Sequence, residues 1–149
     1  MRKTKLENWI QEIEGLPQLT REALDALQLR RLNETLKRLH DSGRAYPESV
    51  GSLKELEALP FTTAQMLADK PGAYLLSSQS EVSRVISGAT SGTTGPAKRV
   101  FYTEKDTEHT VGFFAAGISE MLSTGEKCLI AFPFSGPFGL GDLIAKAVE

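Results

Sequence analysis

The stretch that most constrains this chain is Gly88 to Tyr102, which reads GATSGTTGPAKRVFY. Its centre, Thr90-Ser91-Gly92-Thr93-Thr94-Gly95, places four hydroxyls and two glycines in six residues, and Lys98 follows three positions later. Val82, Val85 and Ile86 precede it and Val100, Phe101 and Tyr102 follow, so the pattern predicts strand, glycine-rich loop, strand. Glycine tolerates positive φ and lets a backbone approach a ligand closely. Successive N–H groups in such a turn converge on an anion. Hydroxyls add donors and a lysine adds a mobile positive charge, which together suit a phosphate. The same composition also fits an ordinary hairpin turn of small polar residues.

The spacing excludes two familiar nucleotide loops. A Walker loop needs lysine directly after glycine and a helix behind it. Here Lys98 follows Ala97, and the residues after it look like strand. The G-x-G-x-x-G fingerprint of dinucleotide-binding folds is also missing. A phosphate held here is held from between two strands.

TSGTTGPAK resembles the phosphate-gripping signature of the adenylate-forming enzymes, T-S-G-[ST]-T-G-x-P-K-G, found in acyl-CoA synthetases, peptide-synthetase adenylation domains and luciferases. Thr90 to Gly95 match it and Lys98 falls on its lysine; Ala97 stands where proline is usual and Arg99 where glycine is usual. Two further landmarks resemble the phenylacetate–CoA ligase-like group: Leu56 to Thr63 (LEALPFTT) upstream, and Tyr102-Thr103 followed by the glycine-rich Gly136 to Gly141 downstream. The resemblance covers about residues 30–149.

Composition narrows the remaining classes. The 149 residues suit one domain, able to bury about 68–70% of its unfolded surface. With 17 basic and 19 acidic residues the net charge is −2, which argues against a dedicated nucleic-acid binder. No apolar run reaches the ~18 residues of a membrane span. The N-terminus lacks the apolar core of a signal peptide, so a cytoplasmic location is the default. The single cysteine, Cys128, sits in KCLIAF, which reads as a buried strand with an inert core thiol.

The rest of the chain reads as alternating helices and breaks. Leu6, Trp9, Ile10 and Ile13 predict an amphipathic helix over 4–14, ended by Gly15 and Pro17, with Trp9 packed on a neighbouring helix. Thr20 caps a longer helix to about Ser42, with Leu24, Leu27, the pair Leu29/Leu32, Leu36 and Leu39 on its apolar side and Arg21, Arg30, Arg31, Lys37 and Arg38 on a solvated face. Gly43 fits its stop. Two short helices with capping boxes follow, at Ser52 and at Thr62-Thr63, the second turning Met66 and Leu67 inward. His40 and His109 have no visible partner for metal or acid–base work and read as structural or exposed.

After the second strand, Thr103 caps a helix to about Leu122, buried through Phe113, Phe114, Ile118, Met121 and Leu122 and ended by Gly125. Lys127 to Phe132 then predicts a covered parallel strand, completing a βαβ unit. Phe134 to Gly141 follows that strand's end, where α/β sheets collect ligands. The resemblance puts it near the acyl-substrate pocket; a plain loop feeding the helix at Asp142 is the alternative.

The expected fold is therefore α/β: a mainly helical region over 1–80, an N-terminal helical collar by resemblance, then the start of the α/β nucleotide-binding domain over 81–149. The resemblance implies ATP-dependent activation of a carboxylic acid through an acyl-adenylate, with ATP, Mg2+ and coenzyme A as cofactors. Thr90, Ser91, Gly92, Thr93, Thr94, Gly95 and Lys98 would bind the nucleotide, Lys98 would be catalytic, and no metal ligand is assigned. Family members run to several hundred residues, and their adenine, ribose and C-terminal lysine elements have no counterpart here. The chain thus reads as the first part of such an enzyme, inactive alone. The alternatives are a non-catalytic remnant that binds protein, or a split subunit whose second chain supplies the missing part. Neither a nucleic acid nor a membrane is an expected partner.

Overall fold

The computed structural model of the chain describes residues 3–88, 98–134 and 139–149. Helix α1 (Lys5–Glu14) opens on a capping box: the Thr4 hydroxyl accepts from the Glu7 N–H, and the Glu7 carboxylate accepts from the Thr4 N–H. Gly15 closes it at φ 63°, the left-handed C-cap that glycine takes without a Cβ penalty. Helix α2 (Arg21–Asp41) starts at Thr20, whose side chain accepts from the Ala23 N–H. Gly43 (φ 77°) follows its end. The helix buries Leu36, which is 2% exposed, and turns its arginines outward. There Arg30 and Arg31 reach Glu14 and Glu34, so the charge run on α2 also ties it to α1.

Ser52 precedes a 3-10 turn at Leu53–Ala58 instead of an α-helix. Its hydroxyl donates to Glu55, but no side-chain cap of the backbone forms. Above it the Asn33 amide grips Val50 twice, donating to the carbonyl (3.0 Å) and accepting from the N–H (2.8 Å), as a neighbouring strand would. This bond pair accounts for Val50 being one of the few buried apolar residues. Helix α3 (Ala64–Asp69) is capped by Thr63, but Met66, expected inside, is 43% exposed. Only six residues long, α3 has no full apolar stripe to turn inward.

Strands β1 (Val82–Gly88) and β2 (Lys98–Thr103) form a two-stranded antiparallel sheet, as the strand–loop–strand pattern predicts. The register sets Arg84 opposite Tyr102, Val85 opposite Phe101 and Gly88 opposite Lys98. Helix α4 (Glu104–Ile118) follows without a break and contacts both strands. Its cap is another box, Thr103 with Asp106. Trp9 of α1 lies on α4, 5.1 Å from the His109 ring and 6.2 Å from Phe113, over the bare face of Gly112. Trp9 and His109 are thus partners in packing. Helix α5 (Gly141–Val148) buries Leu143 and packs mainly on α4.

The last third departs from expectation. Helix α4 stops at Ile118 and not near Leu122, and Phe113 and Met121, expected buried, are 46% and 76% exposed. Residues 126–131 carry no regular structure, Leu129 is 93% exposed, and Cys128 is an exposed thiol and not a core one. The βαβ unit is therefore not formed among the described residues. A strand exists only as part of a ladder, and a parallel one needs neighbours on its edges and cover on its faces. The apolar run KCLIAF supplies the side chains for such a strand, but no described segment pairs with it. The fold is a set of helices around a small antiparallel sheet.

Candidate functional site

The candidate site is the mouth of the β1–β2 hairpin. Antiparallel pairing of Gly88 with Lys98 holds the two ends of the glycine-rich segment side by side, about 5 Å apart. Thr90, Ser91, Gly92, Thr93, Thr94 and Gly95 lie outside the described residues; Lys98 is the first residue of β2. The lysine backbone is thus fixed by the ladder at the very end of the loop it is expected to serve.

The second glycine-rich stretch is tied to the same strand. Arg84, in the middle of β1, donates from Nη1 to Asp142 Oδ2 at 2.7 Å and from Nη2 to Asp142 Oδ1 at 3.2 Å, and also to the Gly139 carbonyl. Hydrogen bonding to Asp142 holds the guanidinium above its ordinary range, and bonding to Arg84 holds the Asp142 carboxyl below its own. The fork geometry fixes orientation as well as charge. Asp142 lies in the first turn of α5, where a carboxylate is also favoured by the helix dipole. Arg84 and Gly88 are four residues apart on one strand, so the anchor and the loop base are about 13 Å apart.

Behind the anchor the chain turns tightly. The Gly141 N–H donates to the Pro133 carbonyl at 2.9 Å. A Cβ on Gly141 would stand 2.7 Å from both the Phe132 carbonyl oxygen and Phe134 Cδ2. Glycine at 141 is therefore a packing requirement where the 126–134 segment meets α5. Residues 135–138 of this stretch lie outside the described residues.

A polar cavity of about 540 Å³ opens beside the start of α4, lined by Arg38, Ser80, Glu81, Ser83, Thr103 and Asp106. Glu104 also lines it, and two of its three carboxylates are committed: Glu81 is held down in pKa by the Ser78 backbone N–H, and Asp106 by that of Thr103. Each closes a capping box, which gives the cavity walls a structural explanation. Among the described residues no cluster of three or more His, Cys, Asp or Glu side chains could hold a metal.

Arg84 is the residue that sequence reasoning missed. Its signal was a charged side chain inside the β-prone run Val82–Ile86, where an arginine that leaves water needs a partner. Asp142 was legible only as a helix opener.

No protein-family model matches the chain, and no curated protein matches it either. Among the described residues no helix is long and apolar enough to cross a membrane.

Proposed function

We propose that the chain carries the phosphate-gripping part of an ATP-dependent carboxylic acid-activating ligase of the adenylate-forming type. One observation supports this most: the antiparallel ladder ends at Gly88 opposite Lys98, so a Thr/Ser/Gly-rich segment and a lysine share one hairpin mouth. The helical region before β1 would be the collar of that enzyme, and the hairpin the start of its nucleotide-binding domain.

In the proposed reaction a carboxylate oxygen attacks the α-phosphorus of ATP, the bond to the bridging oxygen breaks, and pyrophosphate leaves. The acyl-adenylate would then pass its acyl group to the thiol of coenzyme A, releasing AMP. Ser91, Thr93 and Thr94 would donate to the β- and γ-phosphate oxygens. Gly92 and Gly95 would let backbone N–H groups approach, and Lys98 would balance the charge that grows on departing pyrophosphate. Fixed donors aimed at developing charge are the main source of such rate enhancement. Mg2+ would accompany the nucleotide phosphates. Arg84 and Asp142 would position the second glycine-rich stretch and touch no reacting atom.

The test is a ¹H–¹⁵N spectrum of the chain with and without Mg·ATP. Shifts should concentrate at 90–98 and vanish in Lys98→Ala. A dispersed spectrum that ignores Mg·ATP would overturn the reading. With no nucleoside pocket identified, binding should be weak.

A second reading, a protein-binding module, is favoured by exposed apolar side chains: among the described residues Leu129 is 93%, Phe61 87% and Met121 76% exposed.

A further inference from the structure

We propose that Arg99 is the second cation of the phosphate site and binds oxygens of the β- or γ-phosphate; the proposal rests on the phosphate-gripping reading above. Three observations carry it.

The first is charge. From Val82 to Thr103 the chain carries Arg84, Lys98 and Arg99 and no aspartate or glutamate, in a protein whose net charge is −2. The hairpin sequence is therefore a local concentration of positive charge, and such a concentration draws anions. Asp142 neutralises Arg84. The other two cations stand at consecutive positions, the first two of β2.

The second is partnership. The other described arginines are all committed. Arg21, Arg30 and Arg31 pair with carboxylates, Arg38 and Arg44 donate to main-chain carbonyls, and Arg84 does both. Arg99 is exposed, and among the described residues its side chain has no such partner. A guanidinium offers a planar fork of donors that matches phosphate oxygens in pairs.

The third is placement. The register sets Arg99 opposite Ser87, one step inside the Gly88–Lys98 pair that ends the ladder. Cross-strand partners share a face and faces alternate along a strand. Arg99 thus lies on the face of Val85 and Phe101, and Arg84 on the face of Ile86, Val100 and Tyr102. Asp142 meets the Arg84 face, so the carboxylate that neutralises Arg84 is on the wrong side of the sheet for Arg99. The ladder holds the Arg99 backbone beside both ends of the Thr/Ser/Gly-rich segment. Glycine, usual at this position in the adenylate-forming signature, offers no such contact, so the role belongs to this chain's own sequence.

Titration of the full chain with Mg·ATP and with magnesium pyrophosphate, followed in ¹H–¹⁵N spectra, is the test. Arg99→Gln removes the charge and should weaken both ligands about tenfold, the loss expected for hydrogen bonds to a charged group. Arg99→Lys keeps the charge without the fork and should fall between Arg99→Gln and the parent. Lys54→Gln removes an equal charge at an exposed position in the 3-10 turn and should leave both affinities unchanged. Arg99 gives the described ladder only its main chain, so the β1 and β2 amides of both Arg99 variants should stay dispersed as in the parent. Affinities indifferent to Arg99→Gln would overturn the proposal and leave the phosphate-gripping reading standing. So would a loss confined to Mg·ATP, which puts the contact on the nucleoside, an equal loss in Lys54→Gln, or an Arg99→Lys variant as weak as Arg99→Gln. A parent that ignores both ligands sinks the phosphate-gripping reading, and this proposal with it.

Discussion

Leu36 and Leu129 are the same residue in opposite circumstances. The first, in α2, is 2% exposed, and the second, after α4, is 93% exposed. The regions around them differ in the same way. Up to about residue 80 the chain closes on itself: side-chain caps at Thr4, Thr20 and Thr63, the Asn33–Val50 bond pair, and Glu14 holding Arg30 and Arg31. From β1 onward it holds together through a few specific devices, chiefly Arg84 with Asp142 and the Gly141 turn. It leaves an apolar run without a ladder. Apart from α1, whose Trp9 packs on α4, the first region finds its partners nearby in sequence, whereas the second is built from pieces that need one another across long separations.

The largest effect should come from Leu36→Ala. A fully buried leucine truncated to alanine costs about 2–5 kcal/mol, so the urea midpoint should fall sharply. Leu129→Ala should move it by no more than about 0.5 kcal/mol. Equal losses at the two positions would erase the contrast between the regions.

Gly141→Ala should cost about 1–3 kcal/mol, because the added methyl meets a backbone carbonyl that cannot swing aside. Its signature is local: hydrogen-exchange protection should drop over 141–148 and stay unchanged over 21–41. A loss shared by α2 would show the two regions to be one cooperative unit.

Acid should act last and most gently. Glu7, Glu22, Glu81, Asp106 and Asp142 all have carboxyl pKa values lowered by hydrogen bonds in the fold. Their stabilisation is therefore present above the unfolded values, about 3.9–4.3, and is lost as pH falls through the folded ones. Stability should be level from pH 7 to about 5 and decline below about 4. Amides of α5 should lose protection ahead of those of α2, since Asp142 is the anchor of α5. The reverse order would mean that the Arg84–Asp142 pair does not hold α5.

The helices were legible because their signals are local. Thr20 and Thr103 cap where the pattern placed them, Thr63 caps one residue past the expected Thr62–Gln65 box, and Gly15 and Gly43 turn left-handed after their helices. The β1–β2 hairpin was legible for the same reason, its two β-prone runs flanking one loop. The strand at 127–132 was misread because periodicity reports which residues suit a ladder and not whether a neighbour exists. Arg84 was overlooked because its partner lies 58 positions away, beyond any window of local pattern. Of the candidate site, the sequence carried the loop and its lysine, and the ladder that frames them was inferable. The anchor that ties a second glycine-rich stretch to the same strand was not.

The docking of Trp9 on Gly112 has a consequence in time. During synthesis α1 leaves the ribosome before α4, yet the surface it packs on, with His109 and the Lys5 contacts to Ser119 and Glu120, is made about a hundred residues later. At translation rates of about 5–20 residues per second, the nascent α1 waits roughly 5–20 s with its indole uncovered. Until α4 exists, the indole has no partner to cover it, and the emerging chain offers it to any chaperone that reads exposed aromatics.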